Sequence, residues 1–173
     1  PGTEHVPLDR HLRPCPQIPG DTAADATDVR RDDDGTIRLT ATSGSRCVLT
    51  DLGVPVPDAR YQVDLEYRTV SGRPARACLW QEGPNKCAEL PPLTPSADWQ
   101  RLSATARPVP NTRRLHLSLY VDGQSEPAST VAYRGVTAGA VSPPGLRLTA
   151  LDAAPGRIPT IAVTGGGERY RVR

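Results

Sequence analysis

The sequence predicts an all-β protein built as a two-sheet antiparallel sandwich, and three observations lead to this fold class. The 173 residues include 19 Pro and 15 Gly, which interrupt the chain every few positions. Short runs of alternating apolar and polar residues lie between these interruptions, and no segment shows the period of about 3.6 residues that is typical of a helix. Because Pro and Gly disfavour long helices and suit turns, we expect many short strands.

Seven runs within the sandwich have the composition and alternation of strands, and turn residues separate them. They span residues 36–42, 46–52, 61–69, 75–81, 98–108, 113–123 and 129–138. After a Ser-Pro-Pro-Gly stretch the character of the chain changes, and two further runs follow at 146–151 and 160–173. The last of these is expected to fold back on itself about its Gly-Gly-Gly stretch.

The chain is expected to contain three segments. Residues 1–23 are rich in Pro and show little periodicity, which predicts a leader that wraps the domain. Residues 24–139 hold the sandwich, and residues 140–173 form an extra C-terminal β segment. Because the pattern of this last segment stops in the middle of a run, we expect it to be the start of a following unit in a longer parent chain.

Strict alternation in two runs distinguishes the buried face of each strand from its polar face. The predicted core residues are Tyr61, Val63, Leu65, Tyr67, Leu115, Leu117, Leu119 and Val121. In the run 75–81, Leu79 has the parity of a core residue. Trp80 must therefore project from the opposite, polar face.

The polar face around Trp80 is a candidate glycan-binding site, because an aromatic plane covers the C–H face of a sugar while polar groups bind its hydroxyls. The predicted members of this face are Trp80, Tyr120, His116, Glu66, Asp64 and Arg68. Two alternatives stay open: Trp80 is capped by a loop or a disulfide, and His116 is an ordinary surface residue of a strand. The second tryptophan, Trp99, is predicted to pack into the core.

The four cysteines include no C-x-x-C motif, which disfavours a zinc ribbon or a thioredoxin-type centre. Of the possible pairings we favour Cys78–Cys87, which closes a short loop over a Gly-Pro-Asn turn. The remaining pair, Cys15–Cys47, would then attach the leader to a strand. Two disulfides indicate an oxidising compartment outside the cytosol.

Charge and hydropathy exclude two classes of partner. The 21 basic and 19 acidic residues are interspersed and leave a net charge of +2, so no basic stripe for nucleic acid emerges. No stretch approaches the roughly 18 apolar residues that a membrane span requires, so no membrane span is expected in this segment.

Catalytic and metal chemistry find little support in the sequence. No G-x-S-x-G nucleophile elbow is present. Asp64 and Glu66 lie two apart on one face, as a glycosidase pair would, but no third carboxylate shares their strand. A structural calcium is possible, and the alternative is a solvated turn. The acidic residues that would hold it are Asp32, Asp33, Asp34 and Asp51.

Three motifs resemble carbohydrate-binding modules with the β-jelly-roll, galactose-binding-like fold. They are Y-x-V-x-L-x-Y-R at 61–68, D-W-Q at 98–100 and L-H-L-S-L-Y-V-D-G at 115–123, and the resemblance covers about residues 35–138. More narrowly, residues 75–93 and 158–173 resemble the extracytoplasmic portion of the D-type membrane arabinofuranosyltransferases of actinobacteria. Many such modules carry a calcium-binding acidic pair in the final strand, whereas the equivalent stretch here is V-A-Y-R-G-V.

The resemblance implies a non-catalytic binding module on the periplasmic side of the cell envelope. Its partners would be an envelope polysaccharide (arabinan, arabinogalactan or lipoarabinomannan) and the rest of a membrane-anchored parent transferase. The catalytic residue of that family lies in a membrane domain that this chain does not contain. The alternative is a structural or protein-docking scaffold of the same transferase that has no glycan affinity of its own.

Overall fold

The computed structural model describes residue 8, residues 11–15, 29–88 and 90–141, and the backbone of residues 147–150, 161–165 and 168–171. Within these ranges the chain forms strands and no helix, and hence no helix that is long and apolar enough to span a membrane. The strands are β1 (Arg13–Pro14), β2 (Val29–Arg31), β3 (Ile37–Ala41), β4 (Ser45–Gly53), β5 (Arg60–Ser71), β6 (Ala75–Glu82), β7 (Lys86–Ala88), β8 (Gln100–Ala106), β9 (Arg114–Asp122), β10 (Ser129–Val141), β11 (Arg147–Ala150), β12 (Ile161–Gly165) and β13 (Glu168–Arg171).

Two five-stranded sheets form the first of two compact units, Pro1–Ala140. The front sheet has the strand order β1-β4-β9-β6-β7, and the back sheet has the order β2-β3-β10-β5-β8. The predicted all-β jelly-roll sandwich of two antiparallel sheets is confirmed. The second unit, Val141–Arg173, contains a three-stranded antiparallel sheet in the order β11-β12-β13.

The seven strands predicted for the sandwich are all present, as β3, β4, β5, β6, β8, β9 and β10. Strands β1, β2 and β7 were not predicted, because alternation cannot be recognised in a run of two or three residues. The runs predicted at 146–151 and 160–173 form the backbone of β11, β12 and β13. The glycine turn between β12 and β13 lies largely outside the described residues.

The hydrophobic core lies between the two sheets, and the predicted inward-facing residues of β5 and β9 are all buried, with none more than 6% exposed. Both core tyrosines have hydrogen-bonded tips, since Tyr61 Oη accepts from Val56 N at 3.0 Å and Tyr67 Oη accepts from Thr94 N at 3.1 Å. Each fully buried large apolar side chain contributes about 1.5–3 kcal/mol to the free energy of unfolding. This core therefore holds the two sheets together and supports the side chains on both outer faces.

Tyr133 on β10 connects the two sheets through its hydroxyl group. Tyr133 Oη accepts a hydrogen bond from Arg76 N at 3.0 Å and lies 2.9 Å from Arg76 O and 2.8 Å from Tyr120 O, to which it donates. Complete burial raises the pKa of this phenol, which therefore stays protonated and able to donate. A side chain of the back sheet thus fixes the backbone of β6 and β9 in the front sheet.

Both predicted disulfides, Cys15–Cys47 and Cys78–Cys87, are formed. Cys15 N also donates to Cys47 O at 3.0 Å, which extends the pairing of β1 with β4. The described part of the predicted leader packs on the sandwich, where Leu12 is 1% exposed. The rest of residues 1–23, apart from residues 8 and 11–15, lies outside the described residues. The two disulfides indicate an extracytoplasmic compartment.

Candidate functional site

The outer face of the front sheet carries a row of side chains that crosses four strands. Register pairs Asp51 on β4 with His116 on β9, His116 with Trp80 on β6, and Trp80 with Cys87 on β7. We call these four residues the Trp80 row. Cys87 is bonded to Cys78, which also lies on this face of β6, so the row rests on a covalently closed strand pair.

Trp80 projects from this face as its parity predicts. Its neighbours in sequence, Leu79 and Gln81, are completely buried, whereas Trp80 is 36% exposed. The indole is therefore partly accessible, and the front sheet presents part of an aromatic surface to solvent.

His116 stands between two carboxylates on the same face. Its Nε2 lies 3.7 Å from Glu82 Oε2 and its Nδ1 lies 4.0 Å from Asp51 Oδ1, with the side chain 20% exposed. Nδ1 is buried and has no hydrogen-bond partner among the described residues. The imidazole beside Trp80 therefore has hydrogen-bonding capacity that the protein itself does not use.

Asp51 lies at one end of the Trp80 row and is held in place by hydrogen bonds. Its Oδ2 accepts from Arg114 Nε at 2.9 Å, and its Oδ1 accepts from Gly53 N at 2.8 Å across a β-bulge in which Gly53 has a φ of 82°. The hydrogen bond from Arg114 is the main reason why the pKa of this carboxyl lies below its usual value. Asp51 is thus an ionised, already partnered residue.

Tyr120 lies on the same face but is covered. The guanidinium of Arg76 stacks over its ring at 4.6 Å, and Arg76 Nη1 binds Asp122 Oδ2 at 2.7 Å. Tyr120 is four residues from His116 on β9, which at about 3.4 Å per residue places it roughly 13 Å from the Trp80 row. The prediction that Trp80, His116 and Tyr120 share one face is correct. Of the two aromatic rings, that of Tyr120 is covered by Arg76 and that of Trp80 is not.

The other three predicted site residues, Glu66, Asp64 and Arg68, lie on the opposite side of the sandwich, so the prediction that they share a face with Trp80 is wrong. They project from the outer face of β5, which belongs to the back sheet. Alternation shows which residues of one strand share a face, but it does not show which sheet the strand joins. Strands β5 and β6 are neighbours in sequence and lie in different sheets.

Trp99 is not a core residue, which corrects a second prediction. It is half-buried on the outer face of the back sheet, where Arg68 Cζ lies 4.9 Å and Arg134 Cζ lies 4.1 Å from its ring centroid. The sequence contained the signal for this position. The inward residues of β8 are Leu102, Ala104 and Ala106, so position 99 has outward parity.

Of the acidic residues considered for calcium, Asp32, Asp33 and Asp34 lie together between β2 and β3, and Asp51 lies on the other sheet. Asp32 lies before the β2–β3 turn and binds Arg38 Nε at 2.7 Å, and Asp34 Oδ1 accepts from Thr36 N at 2.9 Å. Asp51 lies on the front sheet. In the part of the chain that the structure describes, no group of three or more His, Cys, Asp or Glu side chains is placed to hold a metal ion.

A groove of about 460 Å³ lies at one end of the sandwich, between the β4–β5 loop and the β8–β9 loop. Its lining includes Pro55, Val56, Pro108 and Val109. The buried Gln81 supports the second loop, since its Oε1 accepts from Val109 N at 2.7 Å. No aromatic ring lines this groove.

Comparison with known proteins identifies the fold. The sandwich is similar to a family 4 carbohydrate-binding module, with a TM-score of 0.51 and 14% sequence identity over 63% of this chain and 86% of that one. The N-terminal cellulose-binding domain of Cellulomonas fimi β-1,4-glucanase C gives a TM-score of 0.42 and 13% identity over 62% of this chain and 80% of that one. No protein-family model and no curated protein matches the chain. The first of these similarities shows that the fold is a β-sandwich like that of the family 4 module.

Proposed function

We propose that this chain is a non-catalytic carbohydrate-binding module and that the Trp80 row is its glycan site. The observation that carries the proposal is the indole of Trp80, 36% exposed on the outer strand face beside His116 and Glu82. A fold hosts many functions, so these side chains, and not the fold similarity, support the proposal. The similarity to a carbohydrate-binding module adds support at the level of the scaffold.

Stacking on Trp80 supplies the apolar part of the affinity. A sugar ring that covers one indole face removes about 50–100 Å² of apolar surface from water, which is worth about 1–2.5 kcal/mol. The polar part comes from the accessible edge of His116, whose side chain is 20% exposed, and from Glu82, whose side chain is 46% exposed. Together these groups can bind the hydroxyls at the edge of a stacked ring.

The site accommodates a short stretch of glycan. Arg76 covers the ring of Tyr120, so the face offers one open aromatic ring and not a line of them. We therefore expect weak binding, with a dissociation constant of about 10 µM to 1 mM. The affinity should rise little once an oligosaccharide exceeds two or three sugar units, because additional units meet no second open ring.

We further propose that the glycan is arabinan or a related polysaccharide, arabinogalactan or lipoarabinomannan, and that the module belongs to a membrane arabinofuranosyltransferase on the periplasmic side of the envelope. The support is the resemblance of residues 75–93 and 158–173 to that family. The first of these segments contains Trp80 and the Cys78–Cys87 disulfide. An extracytoplasmic compartment agrees with the two disulfides.

Titration with a glycan panel tests the function. The panel contains oligosaccharides of arabinan, arabinogalactan, lipoarabinomannan and cellulose, and binding is measured by calorimetry alongside an assay for released reducing sugar. We expect saturable binding of an arabinan-type ligand without turnover, and at least a tenfold loss in Trp80→Ala. The control variant is Val70→Ser, which removes a different exposed apolar side chain, 48% exposed, and should bind normally.

A docking scaffold is the second candidate function, and one observation favours it. Val54 is 75% exposed and Val56 is 52% exposed on the loop that borders the apolar groove, which is unusual for two neighbouring apolar residues on an inert surface. If no glycan of the panel binds and Trp80→Ala changes nothing, this second function takes the place of the first.

A further inference from the structure

A second aromatic cluster lies on the outer face of the back sheet. Trp99 stands immediately before β8, Arg68 lies on β5, and Arg134 lies on β10, and these three strands are neighbours in the sheet. The ring of Trp99 meets Arg134 Cζ at 4.1 Å and Arg68 Cζ at 4.9 Å. We call Trp99, Arg68, Arg134 and their neighbour Glu66 the Trp99 cluster.

The two guanidiniums of this cluster differ in their partners. Arg134 Nε donates to Glu66 Oε2 at 2.5 Å, and Arg134 also interacts electrostatically with Asp34. Arg68 forms no ion pair within the described residues, and its Nε is buried without a hydrogen-bond partner there. The nearby Asp64 lies 3.8 Å from Arg101, which accounts for its charge. Arg68 is therefore the guanidinium of the cluster that has no carboxylate partner among the described residues.

The indole of Trp99 holds the guanidiniums of Arg68 and Arg134 in place. A guanidinium that stacks on an aromatic ring keeps its N–H groups in the plane parallel to the ring, where they can bind an oxyanion in a bidentate manner. Such a fork matches the geometry of a carboxylate or a phosphate. The buried Nε of Arg68 meets no acceptor among the described residues, so the terminal N–H groups of this stacked guanidinium are the ones available to a ligand.

We infer that the Trp99 cluster is a second binding site, specific for a sugar that carries an oxyanion. The oxyanion binds Arg68 and Arg134, and the sugar ring lies along the accessible part of Trp99. The anion is either the carboxylate of a uronic acid or a phosphate ester, and both present the same paired oxygens. This site is separate from the Trp80 row, because it lies on the opposite sheet, and it does not depend on the function proposed for that row.

The two tryptophans of the chain permit a direct test, because an amide correlation spectrum contains one indole N–H signal from each. The signals are assigned with Trp80→Phe and Trp99→Phe. The protein is titrated with a β-1,4-linked glucuronic acid trimer, with cellotriose as its neutral counterpart, and with mannose 6-phosphate and mannose. We expect an anionic probe to shift the Trp99 signal saturably, and its neutral counterpart to bind there at least tenfold more weakly.

Three variants sharpen the result. Arg68→Gln should weaken the anionic probe at least tenfold, and Glu66→Gln should tighten it several-fold, because the competing carboxylate is removed while the size of the side chain is kept. A purely structural role for the cluster does not predict that gain. Arg76→Gln removes the arginine that stacks on Tyr120 on the other sheet, and it should leave the Trp99 response unchanged. Dispersed spectra confirm that each variant is folded.

The inference is overturned if no anionic probe at 10 mM shifts the Trp99 signal, if the neutral probes shift it equally, or if Glu66→Gln weakens binding. It is also overturned if a hexaglutamate peptide binds more tightly than either anionic sugar, because the site would then serve an acidic protein segment. A response to the uronate alone or to the phosphate alone identifies the source of the oxyanion. The Trp80 signal reports the proposed function in the same spectra and is interpreted independently.

Discussion

The two outer faces of the sandwich are built from the same kinds of residue and present different surfaces. Each carries a tryptophan, carboxylates and guanidiniums on strands of strict alternation. On the front face the arginines bind carboxylates, Arg114 with Asp51 and Arg76 with Asp122, and Trp80 stays open. On the back face two arginines stack on Trp99 itself. The placement of the guanidiniums, and not the presence of an indole, is therefore the difference on which the two proposed binding sites rest.

Among polar and surface groups, the largest expected effect on stability concerns the Tyr133 hydroxyl, which joins the two sheets. Tyr133→Phe leaves the backbone groups of Arg76 and Tyr120 without their buried partner, at a cost of about 1–3 kcal/mol in the free energy of unfolding. Urea denaturation measures this cost. Tyr61→Phe is the matched control, because it removes a single bond to Val56 N from a core tyrosine and should cost less. Equal losses in the free energy of unfolding would show that the Tyr133 hydroxyl stabilises the protein no more than the hydroxyl of Tyr61 does.

The next effect concerns Trp99 and follows from its corrected position. A half-buried indole on the surface leaves no enclosed cavity, so Trp99→Ala should cost about 1–2 kcal/mol, chiefly through the lost contacts with Arg68 and Arg134. Leu117→Ala, in the fully buried core, should cost about 2–5 kcal/mol. Thermal and urea denaturation compare the two. A loss above about 3 kcal/mol in Trp99→Ala would contradict the surface position.

A smaller stability change is expected for Trp80. Because the indole is the more exposed of the two and no guanidinium stacks on it among the described residues, Trp80→Ala should change the free energy of unfolding by less than about 1 kcal/mol. The same variant is expected to lose glycan binding. Unfolding of this variant in a denaturation experiment would mean that Trp80 supports the fold and is not a free binding surface.

The smallest effect is a dependence of stability on pH that arises from Asp51, at the end of the Trp80 row. The folded-state pKa of Asp51 is lowered, mainly by the hydrogen bond from Arg114. The contribution of Asp51 to the free energy of unfolding is therefore fully present above the unfolded pKa of about 4. It is lost as the pH falls through the lowered folded pKa. Asp51→Asn should therefore be less stable than the unaltered protein at pH 7, by less than about 1 kcal/mol because the pair is exposed. The difference should disappear in strong acid, which denaturation at a series of pH values would reveal; a difference that persists there would contradict this assignment.

Much of the fold follows from local patterns. Alternation in β5 and β9 located the core, the Gly-Pro-Asn turn indicated the Cys78–Cys87 disulfide, and the parity of Leu79 placed Trp80 outside. These features depend on near neighbours in the chain, which the sequence displays directly.

The candidate site was only half predictable because it depends on pairings between distant strands. Parity correctly placed Glu66 on a polar face, but the partner strands of β5 decide which face, and these are β8 and β10. The contact between Arg134 and Trp99 joins residues that are far apart in the sequence, so no local pattern announces it. The position of Trp99 outside the core agrees with the parity of Leu102 and Ala104, which a prediction made from the start of the strand does not use.

We propose that the front face binds a neutral glycan through Trp80 while the back face does not. The decisive experiment is a titration of the protein with neutral arabinan oligosaccharides, followed through the two indole N–H signals. We expect the Trp80 signal to shift saturably with a dissociation constant of about 10 µM to 1 mM while the Trp99 signal stays in place. A Trp80 signal that stays fixed at 10 mM ligand, or a shift confined to Trp99, would contradict it.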